Sequence, residues 1–370
     1  MPQTEWYTID KISELDSPAL VVYRDRVKEN IQILISSIDD INRLRPHVKT
    51  HKSSEVCTMM LQAGIQKYKC ATIAEAEMLA GVGAPDVLLA YQPVGPKANR
   101  LLTLVQQFPA TSFSCVIDNF DSAKYLSDIF SRVSLQLPVF IDLNVGMNRT
   151  GLPPAEALSL FEHCKSLKGI TRCGLHVYDG HIRDIDFEVR KKNCDEAFAP
   201  VVRIQKEIQD RFKTELRIVA GGTPTYSIHC KRKNIECSPG TFIYWDYGYK
   251  TTLAEQHYLL AALVVTRVIS KPTPDSICID LGHKAIASEN PLHSRVYFLN
   301  ASNLDPVGHS EEHMIFHVKD GKDYKVGDVL YGVPYHICPT VALYDRAVII
   351  ENNTVIGSWN TLARNRKISV

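Results

Sequence analysis

The chain has 370 residues, more than one hydrophobic core usually serves, so a large domain and a smaller one are expected. Its 42 Lys and Arg balance 41 Asp and Glu to a formal charge of +1, which leaves no global field to draw nucleic acid or anionic lipid and favours a small-molecule substrate. Hydrophobic residues at 45% and charged residues at 22% are an ordinary globular mixture, and no apolar run approaches the ~20 residues of a membrane span.

The opening segment, MPQTEWYTIDKISELD, lacks the basic-then-apolar order of a signal peptide. Ten cysteines without a CxxC pair suit reduced thiols, so a cytoplasmic location is expected. From Ala19 onward, short β-branched runs alternate with helical spacing: ALVVYRD, RPHVKTH from Arg45, KYKCAT from Lys67, DVLLAY from Asp86, FSCVID from Phe113, PVFIDLN from Pro138, CGLHVYD from Cys173, LRIVAGG from Leu216 and TFIYWD from Thr241. That alternation predicts βα units closing into a β/α barrel of the TIM type over residues 15–248. After Tyr249 the runs YLLAALVVTRVIS, SICIDLG, RVYFLN, HMIFHVK, DVLYGVP and RAVIIENNTVIG follow one another without helical period. VKDGKDYKVGD carries hairpin-turn residues, so residues 249–370, with 1–14, are expected to form an antiparallel β domain.

Read as a strand, RPHVKTHK puts Arg45, His47, Lys49 and His51 on one face. Four cationic or titratable groups on one face are costly to bury without a ligand, although a solvated edge strand would carry them equally well. In a partly desolvated site the crowding would lower the Lys49 pKa and leave a neutral amine for imine chemistry, with His47 or His51 carrying protons near neutrality.

RIVAGGTPTY puts Gly221, Gly222 and Thr223 directly after an apolar run, where backbone N–H groups and hydroxyls can cradle an anion; SPGTF adds Gly240 and Thr241. Alone, these are also ordinary Gly/Thr turns. A reactive lysine on an early barrel strand and a phosphate cradle on late ones are together what pyridoxal 5'-phosphate requires. His336 and Cys338, in PYHICPT, would share one side of an extended strand and offer two ligands to one cation, or simply a satisfied histidine beside a thiol. Imidazole and thiolate suit zinc better than magnesium, with manganese next. His309, Glu311, Glu312 and His313, in HSEEH, carry metal-friendly side chains in a segment that reads equally as an exposed turn, and no role is assigned to them.

From DSPALVVYRDRVKENI through RPHVKTHK, AGGTPTY and ECSPGTFIYWDYGY to HSEEH and HICPTVALYD, the chain resembles the alanine-racemase-like class of pyridoxal-phosphate enzymes, in the branch of D-threonine aldolases and D-serine dehydratases. The resemblance implies a β/α barrel followed by a β domain, D-amino-acid substrates and a homodimer. It also implies that Lys49 forms a Schiff base with the cofactor, that Gly221, Gly222, Thr223, Gly240 and Thr241 contact its phosphate, and that Tyr178 and His181 lie near it. A divalent metal at His336 and Cys338 is implied as well. The overall pattern favours retro-aldol cleavage of a D-3-hydroxy amino acid to glycine and an aldehyde. Cys338 pulls toward the dehydratases, which release a keto acid and ammonia, because the aldolases of this family carry a carboxylate at that position. A racemase, or a pyridoxal-phosphate carrier without turnover, is the remaining reading; the extra C-terminal residues and the metal pair favour an enzyme.

Overall fold

The computed structural model describes residues 5–319 and 321–370 and divides the chain into two compact units, each built from separated segments. One comprises Leu34–Lys49, Ser54–Gly240 and Asn365–Val370; the other comprises Met1–Ile33, Thr50–Ser53 and Thr241–Arg364.

In chain order the first strand, β1 (Ala19–Tyr23), belongs to the second of these units. The barrel unit holds β2 (Lys67–Cys70), β3 (Asp86–Leu89), β4 (Ser112–Ile117), β5 (Leu137–Leu143), β6 (Ile170–Val177), β7 (Arg217–Ala220) and β8 (Ile235–Cys237), parallel neighbours in sequence order. Helices such as Ile73–Gly81, capped by the Thr72 hydroxyl on the Glu75 N–H, and Phe120–Ser131, capped by Asn119, return the chain between strands. The ring is closed by residues 44–47. Leu44 bridges Cys237 of β8 and His47 bridges Lys69 of β2, with Arg45 N–H donating to the Cys237 carbonyl and Lys69 N–H to that of Pro46, both at 2.9 Å.

Three sequence expectations are corrected here. ALVVYRD is not a barrel strand: β1 pairs antiparallel with one strand and parallel with another in the other unit. RPHVKTHK is extended only at its start and then tightens into a 3-10 turn, Val48–Thr50, so the alternating face of four basic groups does not form. TFIYWD begins as a 3-10 turn, Thr241–Ile243, and the eighth strand is the short run Ile235–Cys237 just before it.

The second unit carries β9 (Ala262–Thr273), β10 (Ser276–Ile279), β11 (Val296–Phe298), β12 (Leu304–His309), β13 (Met314–Val318), β14 (Val329–Pro334), β15 (Arg346–Glu351) and β16 (Thr354–Asn360). With β1 they form one sheet in the order β12-β13-β10-β9-β1-β15-β16, and β14 joins β9 to β11. Period-2 runs such as MIFHV bury Met314, Phe316 and Val318 with Ile277, Ile279 and Leu330 in a common core, while Ile315 and His317 face out. The hairpin expected in VKDGKDYKVGD includes Asp320, which lies outside the described residues. No described helix is long and apolar enough to cross a membrane.

Candidate active site

Strand alternation sorts the barrel interior into three levels. At the level nearest the strand starts, Arg45, fully buried, donates to Glu236 at 2.6 Å and to both oxygens of Asp86 at 2.7 and 3.1 Å, while Lys67 adds a 2.6 Å bond to Glu236. Burial pushes the Asp86 carboxyl up, but Arg45 outweighs it and holds the group below its usual range. Above lies an apolar layer of Leu88, Val116, Phe140 and Val219. The third level, toward the strand ends, is polar: Lys69, Asp142, His176, Tyr178 and the turn at Gly221.

Asp142 binds His176 Nδ1 at 2.7 Å. Burial keeps that imidazole neutral against the pull of the carboxylate, and it keeps Nε2 buried without a hydrogen-bond partner. The Tyr178 ring is flanked by three cations, with Arg149 Cζ 4.9 Å, Lys69 Nζ 5.6 Å and Lys49 Nζ 5.9 Å from its centroid. The same ring lies over Gly222, where a Cβ would come to 3.0 Å from it. Gly221 has φ +73°, and a Cβ there would meet His229 and Thr225 within 3 Å, so the turn admits glycine alone without strain. Gly240 N–H donates to Thr223 Oγ1 at 3.2 Å and joins the two glycine-bearing turns.

Behind the turn stands a buried strut. Asp179 accepts from Thr225 Oγ1 at 2.7 Å and from His229 Nε2 at 2.8 Å, and His229 Nδ1 accepts from Arg232 at 3.3 Å. Although burial pushes the Asp179 carboxyl up, His229 outweighs it and holds the group below its usual range. Cys194 completes a group whose ligand atoms lie within 4.8 Å of one another, the one such trio found among the described residues. Every member is engaged by a hydrogen bond, and the Arg232 guanidinium donates to both Cys194 Sγ and His229 Nδ1. We therefore read it as a support for the turn.

In the other unit, His336 caps a short helix, Ile337–Val341, and does not lie on the expected extended strand. The turn still brings His336 and Cys338 together in a hydrogen bond; Glu289 binds His336 Nδ1 at 2.6 Å, and Thr50 Oγ1 lies 3.2 Å from Cys338 Sγ. Burial works against a charge on His336, but Cys338, Glu289 and Asp246 outweigh it and raise its pKa to about 9. A nitrogen and a sulfur side by side, with a carboxylate orienting the imidazole, fit a borderline-soft divalent cation. Thr241 Oγ1 lies 3.8 Å from the same sulfur.

Of the residues expected from sequence, Lys49, Tyr178, Gly221, Gly222, Thr223 and Gly240 fall within the barrel unit, as does His181, which packs over Gly146 and keeps a buried Nδ1 without a partner. His47 Nδ1 accepts from the Lys49 N–H at 3.3 Å. His51 falls in the other unit, where burial pushes its pKa down to about 3 and Nδ1 accepts from Ser53 N–H at 3.1 Å. Burial pushes the amine of Lys69 down to about 7. Lys69, Asp142, His176 and Arg149 escaped the sequence reading; the one available signal was a lysine or aspartate at an inward position of a strand. In HSEEH, His309 ends β12, and Glu311 and Glu312 in the turn that follows pair with Lys284. The ten cysteines are free thiols.

Residues 22–248 match the family model described as "Alanine racemase, N-terminal domain", and residues 261–350 the "Putative serine dehydratase domain". The chain is similar to a D-threonine aldolase of Arthrobacter sp., 25% identical over 363 residues covering 96% of this chain and 94% of that one. It superposes on the D-threonine aldolase from Filomicrobium marinum with a TM-score of 0.86 at 23% identity, over 95% and 97% of the two chains. It also superposes on a D-threo-3-hydroxyaspartate dehydratase, a cysteine-to-alanine mutant in the metal-free form, with a TM-score of 0.82 at 20% identity over 95% and 99%; a mutant of a histidine two positions earlier in that dehydratase has also been solved. With more than half its length matched by the first of these models, the chain belongs to the alanine racemase N-terminal domain family.

Proposed function

We propose that the chain is a lyase for D-3-hydroxy amino acids that uses pyridoxal phosphate and a divalent metal, cleaving its substrate as a D-threonine aldolase does. The observation that carries this reading is the polar level of the barrel. It gathers an amine on Lys49, a glycine turn under an aromatic ring, and a buried imidazole acceptor on His176 that lacks a donor. These fit an aldehyde-bearing, anionic aromatic cofactor, which when bound supplies the electron sink for breaking a bond at the substrate α-carbon. Lys49 would hold the aldehyde, Gly221, Gly222, Thr223, Gly240 and Thr241 the phosphate, and Tyr178 and His181 the ring. Arg149 and Lys69 offset the anionic charge. His47, bonded to the Lys49 backbone N–H, fixes the start of the lysine turn.

His336 and Cys338 would hold the metal, zinc first, whose chemistry is polarisation of a hydroxyl oxygen. Glu289 sets the orientation of the imidazole. The spacing of this pair equals that of the histidine and cysteine mutated in the dehydratase structures, which supports dehydration as the second reading. The reading carries a homodimer with it, which sedimentation would test.

Borohydride reduction of the purified protein is expected to fix a pyridoxyl group on Lys49. D-threonine should release acetaldehyde and glycine; pyruvate from D-serine in its place would select the dehydratase. A chelator should abolish either product and zinc restore it. Turnover untouched by the chelator would remove the metal from the reading, and no pyridoxyl adduct would remove the cofactor.

A further inference from the structure

Lys69 points into the barrel with 2% of its surface exposed. An ammonium taken so far out of water ordinarily sits against a carboxylate. Here its one hydrogen bond among the described residues is a long one, 3.4 Å, to the carbonyl of Gly221, the residue that opens the glycine turn. The carboxylates of the surrounding strands are engaged elsewhere, Asp142 with His176 and Asp179 with Thr225 and His229. The other charged groups that face it are cations: Lys49 on the closing segment, Arg45 below, and Arg149 across the Tyr178 ring. Burial, then Lys49, push its ammonium down to about 7, while Asp179 and Asp142 pull the other way. A buried amine with no committed counter-ion, beside a turn built for close approach, is an anion site awaiting its anion.

We propose that Lys69 is a second cationic anchor of the cofactor site, taking up a proton as the phosphate ester settles on the glycine turn and thereby tying cofactor affinity to pH. This rests on the pyridoxal-phosphate reading. The role differs from that of Lys49, which bonds the aldehyde. Lys69 acts through charge alone.

The test uses the full chain stripped of cofactor and titrated with pyridoxine 5'-phosphate, which has no aldehyde and leaves covalent bonding out. Calorimetry in buffers of different ionisation heat, between about pH 7 and about pH 9, stays above the ~6 of the ester's own second ionisation. Wild type is expected to take up protons on binding and to lose up to about tenfold in affinity per pH unit across that window. K69M should bind about tenfold or more weakly at neutral pH and lose the dependence. K69R, which cannot release its proton, should bind with a flat profile, and it decides the matter if K69M fails to fold. Wild type that binds without proton uptake, or variants that keep its pH slope, would overturn the inference while sparing the cofactor reading. Wild type that binds neither pyridoxine phosphate nor pyridoxal phosphate overturns both.

Discussion

Arg45 and His51 are two basic residues six positions apart whose surroundings reverse what their charge suggests. Arg45 anchors a buried ion cluster with Asp86 and Glu236, and removing one member of such a cluster leaves the others uncompensated. R45M is expected to cost about 3–5 kcal/mol, read as a lowered urea midpoint, and apolar replacement of all three residues should recover much of that. His51 has a folded pKa of about 3 against an ordinary 6.5. As pH falls through 6.5 the unfolded chain takes a proton that the folded one refuses, so stability is lost progressively down to about 3. H51N should flatten that limb of the urea midpoint against pH, and an unchanged acid limb would show that other groups set it. The basic character of RPHVKTHK was legible from its residue types. Its geometry was not, because the backbone leaves the sheet once residues 44–47 have closed the ring, and strand alternation stops applying at Val48.

At the scale of the element, the glycine turn after β7 depends on its strut. T225V would leave one oxygen of the buried Asp179 carboxylate without its 2.7 Å donor, a loss of about 1–3 kcal/mol. The expected result is a lower melting temperature together with weaker pyridoxal-phosphate binding; a variant that melts earlier yet binds the cofactor as wild type does would separate the strut from the turn. AGGTPT announced the turn because glycine and hydroxyl residues after an apolar run have a local meaning. Asp179 and His229 gave no such signal. They stand 46 and 4 residues from Thr225, and only the parallel pairing of β6 with β7 brings the aspartate under the loop. His336 and Cys338 were legible as a pair by spacing, although a helix cap, and not a strand, puts them in contact.

For the whole molecule, the outline of a barrel and a β sheet was visible in the change of texture near Tyr249, whereas the affiliation of β1 was not. ALVVY has the composition of any buried strand, and nothing local says which sheet will take it. Its partners are Ala262–Val265 on one side and Val348–Ile350 on the other, so it stands in the middle of the second unit's sheet. A fragment starting at Thr241 therefore lacks an interior strand. It is expected to show no cooperative melting alone, and to regain it when residues 1–33 are supplied as a separate peptide. Cooperative unfolding of the lone fragment would argue that the sheet tolerates the gap.

During synthesis the same placement imposes a wait. Leu20, Val21 and Val22, all buried in the finished protein, leave the ribosome some 240 residues ahead of the first chain segment able to cover them and more than 320 ahead of the second. At about 5–20 residues per second, that is on the order of ten seconds to a minute in which a sticky, unpaired edge is displayed to the cell. Holdase capture of the nascent N-terminus, and aggregation of chains stalled before residue 262, are what this topology invites.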